Sequence, residues 1–98
     1  MKEKVIEEYL RDQVKKAGGK AYKFESPGNN GVPDRVVVFP EGRIYFVELK
    51  APGKRLRPQQ LAKCRELESL GCKVFDFDSK DAVDSFIRNV IGGVYESV

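Results

Sequence analysis

The chain has 98 residues, 41% of them hydrophobic and 34% charged, and a net charge of +3. A chain of this size and balance is expected to form one domain, residues 1–98, whose core buries roughly 60–65% of the unfolded surface. Its composition excludes disorder, and its apolar runs are too short to span a membrane. Histidine is absent, which excludes Ser-His-Asp and Cys-His nucleophile systems, His-ligated zinc and imidazole acid–base chemistry.

The two cysteines, Cys64 and Cys72, match no zinc-knuckle spacing and read as reduced thiols of an intracellular, cytoplasmic protein. The opening "MKEKVIEEYL" is amphipathic and partly acidic, unlike a signal peptide. Residues 2–17 repeat apolar groups at helical spacing (Val5, Ile6, Tyr9, Leu10, Val14, Ala17), and Gly18–Gly19 marks the helix end. "KAYKFES" (20–26) alternates as a first strand, and "SPGNNG" (26–31) reads as a loop. Its backbone amides either approach a phosphate or merely connect two strands. Residues 34–39 and 43–49 read as hairpin strands rich in Val, Ile, Phe and Tyr.

"KAPGKRLR" (50–57) holds four cations and no anion, and forms a basic loop. A helix follows from about Pro58 to Leu70, with Leu61, Cys64, Leu67 and Leu70 as its apolar stripe. "CKVFDFD" is a fourth strand. Ser79 or Asp78 caps a last helix that carries Ala82, Val83, Phe86, Ile87 and Val90. Tyr22, Phe24, Phe75 and Phe77 read as core. The order αβββαβα predicts an α/β fold with a mixed sheet flanked by helices.

The hairpin carries the chemistry. With Pro40, Glu41 and Gly42 as its loop and Gly42 left-handed, Phe39 faces Arg43. Counting outward then sets Asp34 opposite Glu48, roughly 4.5–5.5 Å away across the ladder. Lys50, two residues beyond Glu48, leaves on the same face. Two carboxylates side by side repel, and a divalent cation removes that cost. Mg²⁺ takes one or two carboxylates together with water and phosphate oxygens, and the Leu49 carbonyl offers a third protein oxygen. Lys50 would orient a metal-bound water or stabilise the transition state as a compact positive charge. Singly, Asp34 reads better as a turn residue, and Glu48 with Lys50 as a surface ion pair. The shared face and the adjoining basic loop favour chemistry. Asp76 and Asp78 form a rival carboxylate pair, better read as ending the strand and capping the last helix.

These residues resemble a known family. "PD" at Pro33–Asp34 followed by "ELK" at Glu48–Leu49–Lys50 resembles the PD-(D/E)xK nuclease signature. With "GVPD", "VELK" and "LRPQQ", nearly the whole chain is similar to the VRR-NUC branch, in the stand-alone form of phage and prophage genomes. The resemblance implies a restriction-endonuclease-like core and a Mg²⁺- or Mn²⁺-dependent endodeoxyribonuclease. Asp34, Glu48 and the Leu49 carbonyl would hold the metal, and Lys50 would be the catalytic lysine. Gln60 would point back at the site, with Gln59 the residue mistaken for it. A first-helix glutamate, Glu3 or alternatively Glu7, would serve the metal through a water.

Stand-alone members are similar to Holliday-junction resolvases. The resemblance therefore implies a homodimer acting on branched DNA, a four-way junction above all, with no membrane partner and no nucleotide cofactor. Lys54, Arg55 and Arg57 are the expected DNA contacts. The competing readings are a nickase or flap-type nuclease, a catalytically silent DNA-binding module, and a structural subunit whose basic loop meets an acidic protein. Ile91, Val94, Tyr95 and Val98 are apolar groups available to a dimer contact.

Overall fold

Helix α1 (Glu3–Lys16) opens the chain, followed by strands β1 (Lys20–Lys23), β2 (Arg35–Phe39) and β3 (Arg43–Leu49). Helix α2 (Pro58–Ser69), strand β4 (Val74–Phe77) and helix α3 (Lys80–Ile91) complete the expected αβββαβα order. The structure, a computed structural model, describes residues 1–96. The sheet order is β1-β2-β3-β4. The first two pairings are antiparallel and β3–β4 is parallel. A parallel pair needs a long crossover, and α2 supplies it.

Strand alternation divides the sheet into two unlike faces. Val37, Phe39, Tyr45, Val47, Leu49 and Phe77 turn to one side, where they pack against Ile6, Leu10 and Val14 of α1 and Val83, Phe86 and Val90 of α3. Ile6, Leu10 and Val14 are spaced four residues apart, so they form one stripe along α1. The Ser79 hydroxyl accepts the Ala82 amide and caps α3. Asp78, the other expected cap, lies outside the helix.

The opposite face is covered only in part. Register places Lys20, Tyr22, Val36, Val38, Ile44, Phe46, Glu48, Val74 and Asp76 on it. Helix α2 lies on the β3–β4 side of this face, and its buried residues are Gln60 and Cys64. The expected stripe of α2 is therefore corrected: Leu61 is exposed, and Leu70 is 75% exposed. Only Gln60 and Cys64 of this helix are buried, so a narrow line of its surface is covered.

Two of the four expected core aromatics also change place. Phe77 is buried and Phe75 packs against the core, but Tyr22 is 50% exposed. Phe24 lies beyond the end of β1 and packs on Phe46 of the outer face, with ring centroids 5.6 Å apart. Alternation fixes which residues share a face, but not which face the helices cover. The strand holding Tyr22 is also shorter than expected, ending at Lys23.

The hairpin closes on the expected pair, Phe39 with Arg43. Its three-residue turn has the expected left-handed Gly42, and Glu41 is left-handed as well, with φ of 72° and 71°. A side chain there costs about 1–2 kcal/mol. Tyr95 is not spare surface. It sits in a short 3₁₀ turn, Val94–Glu96, with its ring 4.8 Å from Phe75 and 5.7 Å from Tyr45. Ile91 and Val94 are exposed, and Val98 lies outside the described residues.

Candidate active site

Continuing the β2–β3 ladder one step past Arg35 and Val47 sets Asp34 opposite Glu48. The Asp34 carbonyl accepts the Phe24 amide at 2.8 Å, so its backbone is held from the β1 side. Its side chain turns the other way, and Oδ2 accepts the Leu49 amide at 2.9 Å. In an extended strand the N–H and C=O of one residue point to the same neighbour. The Leu49 carbonyl therefore faces the Asp34 side as well. Two carboxylates and one carbonyl meet at this end of the hairpin.

Glu48 is 1% exposed. Neither of its carboxylate oxygens has a hydrogen-bond partner. While both groups are ionised, Asp34 can offer Glu48 only another acceptor. Burial first, then a shared proton with Asp34 and the Asp34 charge, push the Glu48 carboxyl up from 4.5 to about 8, against the opposing pull of Lys50. A buried carboxylate without a donor or a cation is among the costlier arrangements in a fold. A hard divalent cation would satisfy it. An all-oxygen donor set of this kind suits Mg²⁺ or Mn²⁺ rather than a thiolate- or imidazole-seeking metal.

Two other expected site residues are held by contacts of their own. Lys50 is half-buried, and its amide donates to the Phe77 carbonyl at 2.9 Å, which anchors it as the strand ends. Gln60 is 8% exposed, whereas Gln59 is exposed. The Gln60 Oε1 accepts the Arg57 amide at 2.9 Å, closing the first turn of α2. Its carbonyl oxygen is thus engaged in capping, which leaves its amide nitrogen free of that bond.

The structure separates the two first-helix candidates. The Glu7 carboxylate accepts the Arg35 Nε–H at 3.0 Å in a largely buried ion pair. Glu3 is exposed on the first turn of α1. Among the described residues, no third His, Cys, Asp or Glu joins Asp34 and Glu48 in a metal-ready cluster. Glu3 therefore does not join the pair as a direct third ligand. The start of α1 does lie at this end of the sheet, for Met1 shares a small cleft with Pro52 and Asp78.

Three relationships were not legible in the sequence. Arg35 ties β2 to α1 one residue after Asp34. Cys64, buried on α2, lies close enough to Glu48 and Asp76 for their charges to help raise its thiol pKa, after burial. The Asp78 carboxylate accepts the Gly53 amide at 3.2 Å and so holds the tip of the basic loop. Asp76 pairs with Glu48 in register within β4 but is exposed. Lys54, Arg55 and Arg57 are all exposed on the loop that follows Lys50.

Gly31 shows why the preceding loop reads as it does. Its φ is +89°, and a Cβ there would lie 2.6 Å from the Gln59 carbonyl oxygen. Only glycine lets this loop press against the start of α2. Asn29 reaches the same helix through Lys63, at 3.4 Å.

The VRR-NUC domain matches residues 3–81. The chain belongs to the VRR-NUC family. A protein of Acyrthosiphon pisum secondary endosymbiont phage 1, described as "Putative nuclease p44", is 51% identical over 81 residues, covering 83% of this chain and 87% of that protein. A solved structure described as a VRR-NUC domain superposes with a TM-score of 0.82 at 31% identity, covering 88% of this chain and 94% of its own. The mixed four-stranded sheet with flanking helices is thus the VRR-NUC fold. The matched stretch contains Asp34, Glu48, Lys50 and Gln60, and stops before most of α3.

Proposed function

We propose that this VRR-NUC chain is a divalent-metal-dependent DNA endonuclease that hydrolyses phosphodiester bonds. The observation that carries the reading is the Glu48 carboxylate, buried without a partner and opposed to Asp34. Family membership and the phage relative named as a nuclease support nucleic-acid hydrolysis in general.

In this reading Asp34, Glu48 and the Leu49 carbonyl hold Mg²⁺ or Mn²⁺, with Glu3 contributing through water. The cation supplies an activated water and positive charge against the phosphoryl oxygens. Lys50 places a second positive charge on the same face and stabilises the transition state. Gln60 directs its amide nitrogen toward the phosphate. Asp34 also keeps the end of β3 in register through the Leu49 amide, so the carbonyl and Glu48 stay aligned. Lys54, Arg55 and Arg57 contact phosphates beyond the reacting one.

The favoured substrate is branched DNA, with a four-way junction first, cut by a homodimer. One chain offers one carboxylate pair, and junction resolution needs two cuts on strands related by a two-fold axis. A two-fold dimer supplies both. The experiment is incubation with four-way junction, flap and linear duplex, with and without Mg²⁺ or Mn²⁺, paired with sedimentation. Metal-dependent paired cuts by a dimer support the full reading. Cutting undiminished in excess EDTA overturns the metal assignment. A strict monomer that only nicks a cruciform plasmid replaces the resolvase with a nickase.

A further inference from the structure

A second basic surface lies away from the carboxylate pair. A cleft of about 460 Å³ between the C-terminal half of α1 and the edge strand β1 is lined by Arg11, Asp12, Lys15, Gly19, Lys20 and Ala21. It thus carries three cations against one carboxylate. Among the described residues, none of these cations enters an ion pair. Lys15 is explained in part by its place in the last turn of α1, where it meets the negative end of the helix dipole. That account does not reach Arg11, which is further back, or Lys20, which is on a strand.

Lys20 connects the cleft to the site. It opposes Val38 in the β1–β2 ladder and so shares a sheet face with Asp34 and Glu48. Its ammonium lies 4.8 Å from the centre of the exposed Tyr22 ring, which steadies it over that face. The ladder also leaves a backbone donor here. Since the Phe24 amide bonds to Asp34, alternation turns the Ala21 amide to the open edge of the sheet. Val38 is four residues along β2 from Asp34, which is ~14 Å at the rise of a strand. That distance is about four base-pair steps of DNA. The basic loop 50–57 lies at the other end of the same sheet.

We propose that the Arg11–Lys15–Lys20 cleft binds the DNA phosphate backbone about four steps from the scissile bond, opposite the loop of Lys54, Arg55 and Arg57. The substrate then spans the sheet from loop to cleft, with the carboxylate pair between them. This inference rests on the nuclease reading. It adds that the duplex on the β1 side of the cut is gripped rather than free.

The test compares the full chain with a variant carrying Arg11→Gln, Lys15→Gln and Lys20→Gln. A control variant removes three other cations, Arg65, Lys73 and Arg88. Affinity for a long-armed junction is measured from low to moderate salt without divalent cation, and cutting is measured at saturating DNA. The cleft variant is expected to lower the slope of log affinity against log salt by about two to three, at roughly 0.9 per phosphate contact. Its cutting rate at saturation should match the unaltered chain, because the carboxylate pair is untouched. An unchanged slope, or an equal loss in the control, overturns the cleft while leaving the nuclease reading in place. An unaltered chain that neither binds nor cuts DNA overturns both.

Discussion

The Oδ2 oxygen of Asp34 accepts the Leu49 amide at 2.9 Å, so the carboxylate that opposes Glu48 also splices the strand that carries Glu48. The proposed ligand and a structural acceptor are the same side chain. The two duties separate by substitution. Asp34→Asn keeps an oxygen for the Leu49 amide and loses the charge. It should fold with little change in Tm and lose cutting. Asp34→Ala loses both, and leaving the amide without its charged acceptor should cost about 1.5–3 kcal/mol. Thermal melts beside a cutting assay check the pair. Equal stability of the two variants would show that the bond to Leu49 contributes nothing.

Glu48 makes stability depend on pH in a direction unusual for a carboxylate. Its folded pKa is raised from 4.5 to about 8, so the folded chain holds a proton that the unfolded chain has released. The protonated group's contribution is complete below about 4.5 and is lost as pH rises to about 8. Metal-free protein should therefore show a falling Tm across that window, and Glu48→Gln should flatten the fall. In the proposed site Mn²⁺ would bind the ionised form, so the Tm gain it gives should grow with pH. Melts at several pH values, with EDTA or Mn²⁺, measure both effects.

Lys50 and the basic loop should separate turnover from affinity. Lys50→Ala should lower the cutting rate by about two to three orders of magnitude, the usual cost of removing one transition-state contact, while DNA affinity survives. Replacing Lys54, Arg55 and Arg57 by Ala should instead weaken binding and flatten its salt slope by about 0.9 for each phosphate lost. Single-turnover cutting and a salt titration of binding distinguish them. The roles are reversed if Lys50→Ala loses affinity and keeps its rate.

Gly31→Ala should damage the site without touching a catalytic group. The new Cβ meets the Gln59 carbonyl at 2.6 Å, in a left-handed backbone that side chains resist. The start of α2 must then shift, and Gln60 shifts with it. A lower Tm with weakened cutting is expected, whereas Gly28→Ala, with open space around its Cβ, should show the smaller loss. Parallel melts of the two variants decide whether crowding or φ alone is responsible.

The sequence by itself determined the local elements and the pairing within the hairpin. Three turn residues fix the closing pair Phe39 and Arg43, and a strand's two-residue period then carries Asp34 to its place opposite Glu48. The order of helices and strands followed from periodicity and from Gly and Pro punctuation for the same reason: each signal is local. The tertiary structure decided what covers each surface. It placed α1 and α3 on the face of Val37 and Val47, which left Tyr22 exposed and put Phe24 against Phe46. It drew Tyr95 into the aromatic core and left Leu61 and Leu70 in solvent. It also assigned Glu7 to Arg35, and buried Glu48 without a donor. Burial, ion-pair choice and the raised pKa of Glu48 depend on residues far apart in the chain. Spacing along one strand or helix gives the side on which a group stands, but not the neighbour it meets there.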